Sequence, residues 1–325
     1  MHQRLRAGWA ARSRMPVAVL MALAALAILA LLAAGCNDDG NNKDTTPVAG
    51  QTQSPSVSGT VSIEGSSTVQ PFTIDLIDAF QNAYPDVKVN PPSGLGSGAG
   101  ITAFINKEVD IAQSSRQIKD DEVTQAQGAG LNAFETHILD DALAIAVHPD
   151  NPVTQLTFEQ VAKIFAGEIT DWSEVGGSAG KITVYTRNEE SGSFAYMEED
   201  VIQKALGKDA VYSADINKQA NAPAGLTAVS NDPEGIFYAG LGNIAEIPPG
   251  SVKTVKVAKD AASPYFEPTK ETVKSKDYPI ARGLYYYTDG DPQTSSSPAV
   301  TAFINFALSA EGQAIGENLG FIAIK

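Results

Sequence analysis

Cysteine is almost missing from this chain, one among 325 residues, and histidine is little commoner at three. A single thiol builds no disulfide framework, and a Cys/His zinc site would lack its three or four side-chain ligands, so no metal is expected. Basic residues are scarce too. The 23 Lys and Arg stand against 38 Asp and Glu, a formal net charge of −15. That sign argues against a protein whose affinity comes from neutralising nucleic-acid phosphates. Charged residues make up 19% of the chain and aromatics 7%, while 43% is hydrophobic, enough apolar content for a core and enough length for two domains. A serine hydrolase lacks its parts: no G-x-S-x-G elbow surrounds any serine, and only His137 and His148 lie beyond the N-terminal segment. Residues 176–182 look like a phosphate loop, but the first Gly is one residue too close and Ile182 replaces the metal-binding hydroxyl, so the stretch reads as a turn. The paired acids Asp140-Asp141 and Glu198-Glu199 read as solvated faces rather than acid–base dyads.

What the sequence does have begins with an address. Residues 1–14 carry Arg4, Arg6, Arg12 and Arg14 and no acid, and an apolar run from Met15 to Ala34 follows, interrupted only by Pro16. This reads as an export signal, although about twenty apolar residues are also long enough to span a bilayer. The run ends Leu32-Ala33-Ala34-Gly35-Cys36, which resembles the lipobox of bacterial lipoproteins, whose Cys is acylated and becomes the new N-terminus. Ala33 stands where such motifs usually carry a bulky apolar residue. Residues 1–35 are therefore expected to be a lipoprotein signal peptide. Its removal leaves 290 residues and, with four Arg and no acid lost, takes the net charge to −19. Residues 36–58 are Asn, Asp, Gly, Thr, Gln, Ser and Pro with few apolar neighbours, the composition of a flexible tether. The folded part is expected to start near Gly59.

Beyond the tether, short β-like runs alternate with amphipathic helical stretches, the pattern of an α/β protein with mainly parallel strands. One kind of junction recurs three times. Val61-Ser62-Ile63 runs into residues 64–71 and a helical stretch over 72–84, with Ser67 or Thr68 near its N-cap. Val87-Lys88-Val89 leads to the Gly-rich bend 93–100, which holds Ser97, and a short helix. Residues 182–185 lead to Arg187, Ser191, Gly192 and Ser193, and then to apolar residues at helical spacing from Phe194 to Leu206. Ser191 is the natural cap there. A helix N-terminus offers unpaired N–H groups and partial positive charge, Gly permits close approach, and hydroxyls add uncharged donors. Any one such turn is as well explained by ordinary capping. Together, at the C-terminal ends of strands, they suit an oxyanion. Arg187 and Arg116 each supply a fork for two anion oxygens; the alternative for either is an ion pair with one of the many acids, a reading that weighs more for Arg116 than for Arg187. Asp110 reads as a brace for a backbone turn.

In this order the motifs resemble the phosphate-binding subunit of bacterial phosphate ABC importers, a class II periplasmic-type solute-binding protein. The pieces are residues 65–71 (GSSTVQP), 96–100 (GSGAG), 109–116 (VDIAQSSR), 164–177 (IFAGEITDWSEVGG) and 187–193 (RNEESGS). Residues 278–282 and the closing helical stretch 303–320 resemble the C-terminal part of that family. The resemblance implies an α/β, two-lobed type II periplasmic-binding-protein fold with two crossover segments: residues 59–143 plus 283–325 as lobe one and 144–282 as lobe two. It implies a monomer without cofactor or catalytic residues, which captures inorganic phosphate in the interlobe cleft and delivers it to permease subunits, held to a membrane by its lipid. Phosphate would meet Thr68 and Val69 at the first turn, Ser97 at the second and Arg187, Ser191, Gly192 and Ser193 at the third, with Ser67, Ser115 and Arg116 as additions. One branch of the family places an Asp where this chain has Ser115, and that Asp accepts the ligand's proton. An oxyanion sensor, an adhesion lipoprotein on the same scaffold and a binder of another tetrahedral oxyanion are the rival readings.

The leader reading has a direct test. Wild-type protein should carry an acylated Cys36 at a processed N-terminus, and Cys36→Ala should lose acyl label and accumulate unprocessed. Metabolic labelling with intact-mass analysis checks this; a wild type that keeps its first 35 residues would show a plain anchor instead.

Overall fold

The computed structural model describes residues 57–324. The residues read as an export signal, Cys36 and most of those read as a tether lie outside that range. Ten strands form one sheet system: β1 (Gly59–Gly65), β2 (Val87–Asn90), β3 (Ile111–Ser114), β4 (Ala133–Val147), β5 (Gln155–Thr157), β6 (Thr183–Arg187), β7 (Asn217–Gln219), β8 (Gly235–Gly240), β9 (Lys253–Ala258) and β10 (Ala281–Asp289). The main path runs β2-β1-β3-β10-β4-β8-β6-β7, with β9 pairing β4 and β5 pairing β9. The three-stranded group at each end, β2-β1-β3 and β8-β6-β7, is parallel, as the alternating pattern implied. The middle is not: β10 is antiparallel to both β3 and β4, and β4 is antiparallel to β8 and β9. The long runs read as buried strands around 139–147 and 283–288 are these two central strands, and they join the parallel groups.

β4 changes partner part-way along. Residues 133–142 pair with β10, and from Leu143 onward the strand pairs with β8. The apolar core divides at the same place. One cluster gathers Val61, Phe72, Phe80, Ile111, Leu139, Leu284 and Phe303, and another gathers Leu143, Ile145, Phe165, Trp172, Ile202, Tyr238 and Ile280. Each sits under its own group of strands. The fold is thus two halves joined through β4 and β10.

Helices close both faces. Helix α1 (Gln70–Ala83) buries Phe72, Leu76, Ile77 and Phe80, the i, i+4 stripe of an amphipathic helix. Phe80 stacks on Tyr84 with ring centres 4.6 Å apart and meets Phe303 edge-on at 5.2 Å. Burial of side chains of this size stabilises by about 1.5–3 kcal/mol each. Ser67 and Thr68 sit just before the N-cap, Val69, which has no capping side chain. The turn before the helix is closed by Ser66, whose hydroxyl accepts Thr68 N–H at 3.2 Å and whose carbonyl accepts Gln70 N–H at 3.0 Å, and Pro71 has no N–H to satisfy. Helix α2 (Ser97–Ile105) follows the Gly-rich bend, α3 is Asp120–Gly128, α4 is Phe158–Ala166 and α5 is Gly192–Tyr196. After α5 the winding loosens into a π-helical segment, Met197–Gln203. The closing stretch 303–320 is two helices, Pro298–Ala307 and Ala310–Asn318, because the Ser309 hydroxyl caps the second through Gly312 N–H at 3.1 Å.

Helix α2 rides directly on β1. A Cβ added at Gly100 would lie 2.4 Å from Gly65 Cα and 2.6 Å from the Glu64 carbonyl oxygen, both backbone atoms with no rotamer to yield. Gly100→Ala should therefore cost about 1–3 kcal/mol, the usual cost of overpacking, and more if the helix lifts. Urea denaturation measures it; an unchanged midpoint would show that α2 shifts freely.

Candidate anion-binding site

Four turns meet where the two halves face each other. From one half come the β1–α1 turn with Ser67, Thr68 and Val69, the start of α2 with Ser97, and Ser115 just past β3. From the other comes the β6–α5 turn with Arg187, Ser191, Gly192 and Ser193. Thr68 Oγ1 lies 3.4 Å from Ser193 Oγ across the gap. Ser97 Oγ lies 3.4 Å from Ser115 Oγ and accepts the Ser115 N–H at 3.1 Å. A Cβ on Gly192 would come 2.3 Å from Ser97 Oγ and 2.6 Å from Ser115 Oγ, so only Gly lets the α5 turn sit this close. Gly98 N–H donates to the Glu190 carbonyl at 3.0 Å, a main-chain bond between the halves, and Lys119 pairs with Glu199 at 2.8 Å across the same divide. The halves are closed on each other.

Each turn is set by identifiable contacts. Ser191 caps α5 as its position implied, accepting from Ser193 N–H at 3.2 Å and Phe194 N–H at 3.4 Å. Gln113 on β3 donates to the Ser66 carbonyl at 2.7 Å and accepts from Thr73 at 2.7 Å, fixing the β1–α1 turn from below. Val69 sends its side chain into the core with no exposure, so only its main chain is available to the gap. Ser67 is 8% exposed, and its Oγ is buried with no partner.

Arg187 dominates the electrostatics. Its side chain is 2% exposed and ion-pairs with no carboxylate among the described residues. Nη2 donates to the Ala220 carbonyl at 3.1 Å, the main-chain N–H donates to Tyr238 OH at 3.3 Å, and Nε has no partner. Burial pushes its pKa down to about 10, with the Arg282 charge adding to the fall and Tyr238 opposing it. It stays protonated at neutral pH. Tyr238 is held in turn by Tyr212 OH at 2.8 Å.

Arg116 plays another part. Its guanidinium is taken in a bidentate pair with Glu122, Nη2–Oε1 2.6 Å and Nη1–Oε2 2.7 Å, and Nη1 also donates to the Gln117 carbonyl. Of the two readings open for Arg116, the ion pair is the one the structure displays. Asp110 is a brace, accepting from Ser62 N–H at 2.8 Å and Ser62 Oγ at 2.6 Å. Asp141 corrects the sequence reading: it is fully buried, not solvated, and pairs with Arg282 Nη2 at 3.3 Å while accepting Leu241 N–H at 2.9 Å. Burial pushes the Asp141 carboxyl up, and the Arg282 charge opposes that. This pair joins β4 to β10, and both members were missed. The available signal was a charge inside an otherwise apolar strand run, with Asp141 before Ala142-Leu143 and Arg282 after Ile280-Ala281.

A family model described as "PBP superfamily domain" matches residues 50–311. The phosphate-binding protein PstS of Staphylococcus epidermidis is 32% identical over 296 residues, 90% of this chain and 85% of the relative. This chain belongs to the PBP superfamily, among the PstS proteins. The PstS protein of Borreliella burgdorferi is 34% identical over 268 residues, 82% of this chain and 90% of its own length. In three dimensions, a phosphate ABC transporter substrate-binding protein of Clostridium perfringens, crystallised with bound phosphate, aligns with a TM-score of 0.69 at 29% identity, covering 82% of this chain and all of that one. The PstS group is a non-enzymatic family of solute-binding proteins, and the two-half fold on β4 and β10 is the type II architecture the motifs implied.

A buried guanidinium without an acid is a liability to the empty fold, since removing an ion from water costs several kcal/mol after relaxation. Arg187→Met should thus leave the stability of ligand-free protein unchanged to within about 1 kcal/mol, or raise it. Urea denaturation in phosphate-free buffer measures this; a loss of more than about 2 kcal/mol would mean that Arg187 holds the fold together.

Proposed function

We propose that this chain captures inorganic phosphate between its two halves, residues 59–143 plus 283–325 and residues 144–282, and delivers it to the permease subunits of an ABC importer. One observation carries the reading. Arg187 is buried, charged and without an acid partner, and it shares its turn with the α5 N-terminus, which meets Thr68, Ser97 and Ser115 of the opposite half. A group of this kind is stabilised by an anion that enters and is enclosed. The Arg187 fork, the hydroxyls of Ser67, Thr68, Ser97, Ser115, Ser191 and Ser193, and the main-chain N–H groups of Val69 and Gly192 supply donors to a tetrahedral oxyanion from several directions. A micromolar site needs only about 8 kcal/mol in all, and charge-assisted hydrogen bonds of about 1.5–3 kcal/mol each reach that with a handful of contacts after association costs. Arg116, its guanidinium taken by Glu122, stays outside the donor set. The protein works as an exported monomer, tethered through residues 36–58 to a lipid on Cys36, with no nucleic acid or cofactor involved.

Selectivity turns on acceptors. Near neutral pH phosphate keeps a proton that sulfate lacks, and a buried acceptor facing sulfate leaves lone pairs unpaired, which costs about 1–3 kcal/mol. Ser115 offers a neutral oxygen where some relatives carry a carboxylate, and Asp110 is spent on Ser62. Phosphate is therefore preferred over sulfate by a reduced margin, and Ser115→Asp widens it.

Calorimetric titration with phosphate, sulfate, molybdate and phosphonates tests both points. Arg187→Ala should weaken phosphate by about 3–5 kcal/mol, as expected when one partner of a buried charge pair is removed, and Arg187→Lys should weaken it too because the fork is lost. A folded Arg187→Ala protein with an unchanged dissociation constant would remove Arg187 from the site. Sulfate excluded as strictly by wild type as by Ser115→Asp would assign the discrimination to another acceptor.

A further inference from the structure

A second concave region lies beside the strands that join the halves. Its volume is about 550 Å³, and Lys204, Lys259, Lys276 and Arg282 line it. This size falls within the range of small-molecule sites. Four cations around one cavity run against a chain that carries 38 acids to 23 bases. Lys204, Lys259 and Lys276 are exposed, and none forms an ion pair among the described residues. The acids nearby are engaged. Asp140, which also lines the cavity, pairs with His137 at 2.8 Å; Asp141 pairs with Arg282; Glu267 pairs with Lys256 at 3.6 Å. Asp260 accepts from Ser263 Oγ at 2.9 Å and Asp277 from Ser275 Oγ at 2.6 Å, and Asp200 lies one turn before Lys204.

Arg282 supplies the independent sign of a ligand. Its side chain is 2% exposed, Nη2 alone reaches Asp141, and Nε and Nη1 are buried with no hydrogen-bond partner, the guanidinium lying 5.7 Å over the Tyr196 ring. The remaining wall is apolar. Phe158, at the start of α4, lies 6.0 Å beneath Lys204 Nζ, and Tyr278 has its hydroxyl spent on the Leu143 carbonyl at 3.1 Å. Lysines act as point charges for phosphate groups, and aromatic walls suit an apolar body.

We propose that this cavity binds an organic phosphate of nucleotide size, with at least two negative charges and an apolar or aromatic body, at a site separate from the Arg187 cluster. The two sites share no residue, so either proposal can fail while the other stands.

Calorimetry on the full chain, with phosphate just above saturation of the Arg187 site, separates them. ADP, pyrophosphate and adenosine serve as probes. ADP should bind one per chain, pyrophosphate more weakly, and adenosine not at all. Raising NaCl from 50 to 200 mM should weaken ADP several-fold, as for exposed lysines in a screening solution. The double variant Lys259→Gln/Lys276→Gln, which changes two exposed side chains, should weaken ADP at least tenfold and leave the phosphate dissociation constant unaltered. No heat from ADP or pyrophosphate would overturn the proposal. ADP binding that the double variant leaves unchanged, or adenosine binding as tightly as ADP, would overturn it as well.

Discussion

The guanidinium of Arg187, shut away from water with no carboxylate to answer it, is the constraint around which the molecule is arranged. Holding a cation there costs free energy that the isolated site does not return. The cost is met elsewhere, by two separate apolar clusters and by aromatic contacts such as those of Phe80 with Tyr84 and Phe303. What the site supplies is orientation. The end of β6, the Ala220 carbonyl and the Tyr238–Tyr212 pair fix the fork before any ligand arrives, so little side-chain entropy is left to lose on binding.

This arrangement also reconciles an acidic protein with an anionic ligand. Surface charges act over roughly 8 Å at physiological salt, and much of the −15 sits on exposed side chains that water and counter-ions screen. Inside the closed gap the field belongs to the nearest groups, which are one cation, helix N-terminal N–H groups and neutral hydroxyls. Two of the nearby acids are neutralised locally, Glu122 by Arg116 and Asp141 by Arg282.

How much of this was legible in the sequence depends on the range over which each signal acts. The β1–α1, α2 and β6–α5 junctions are written in consecutive residues, and Ser191 caps its helix as its neighbours require. Ser67 and Thr68 lie next to the N-cap as read, while the cap residue itself, Val69, carries no capping group. Pairing of the parallel groups followed from alternation, whereas the antiparallel centre did not, because 133 residues separate the end of β4 from the start of β10 and only their meeting reveals their direction. The same distance hid Asp141 and Arg282. Each is an anomaly in its own strand, and neither names its partner. Arg116 shows the converse: Glu122 lies six residues away, and that near partner takes the fork.

The handover along β4 has a mechanical meaning. A single strand of 15 residues is laddered to β10 along its first part and to β8 along its last. The halves are therefore linked by one continuous strand whose ladder to β10 shifts register once, between Leu284 and Tyr285, rather than by a loop alone. Such a joint bends and twists but does not slide, because sliding would break every rung at once. A joint of this kind restricts any separation of the halves to bending, which keeps Thr68 opposite Ser193 and Gly98 opposite Glu190.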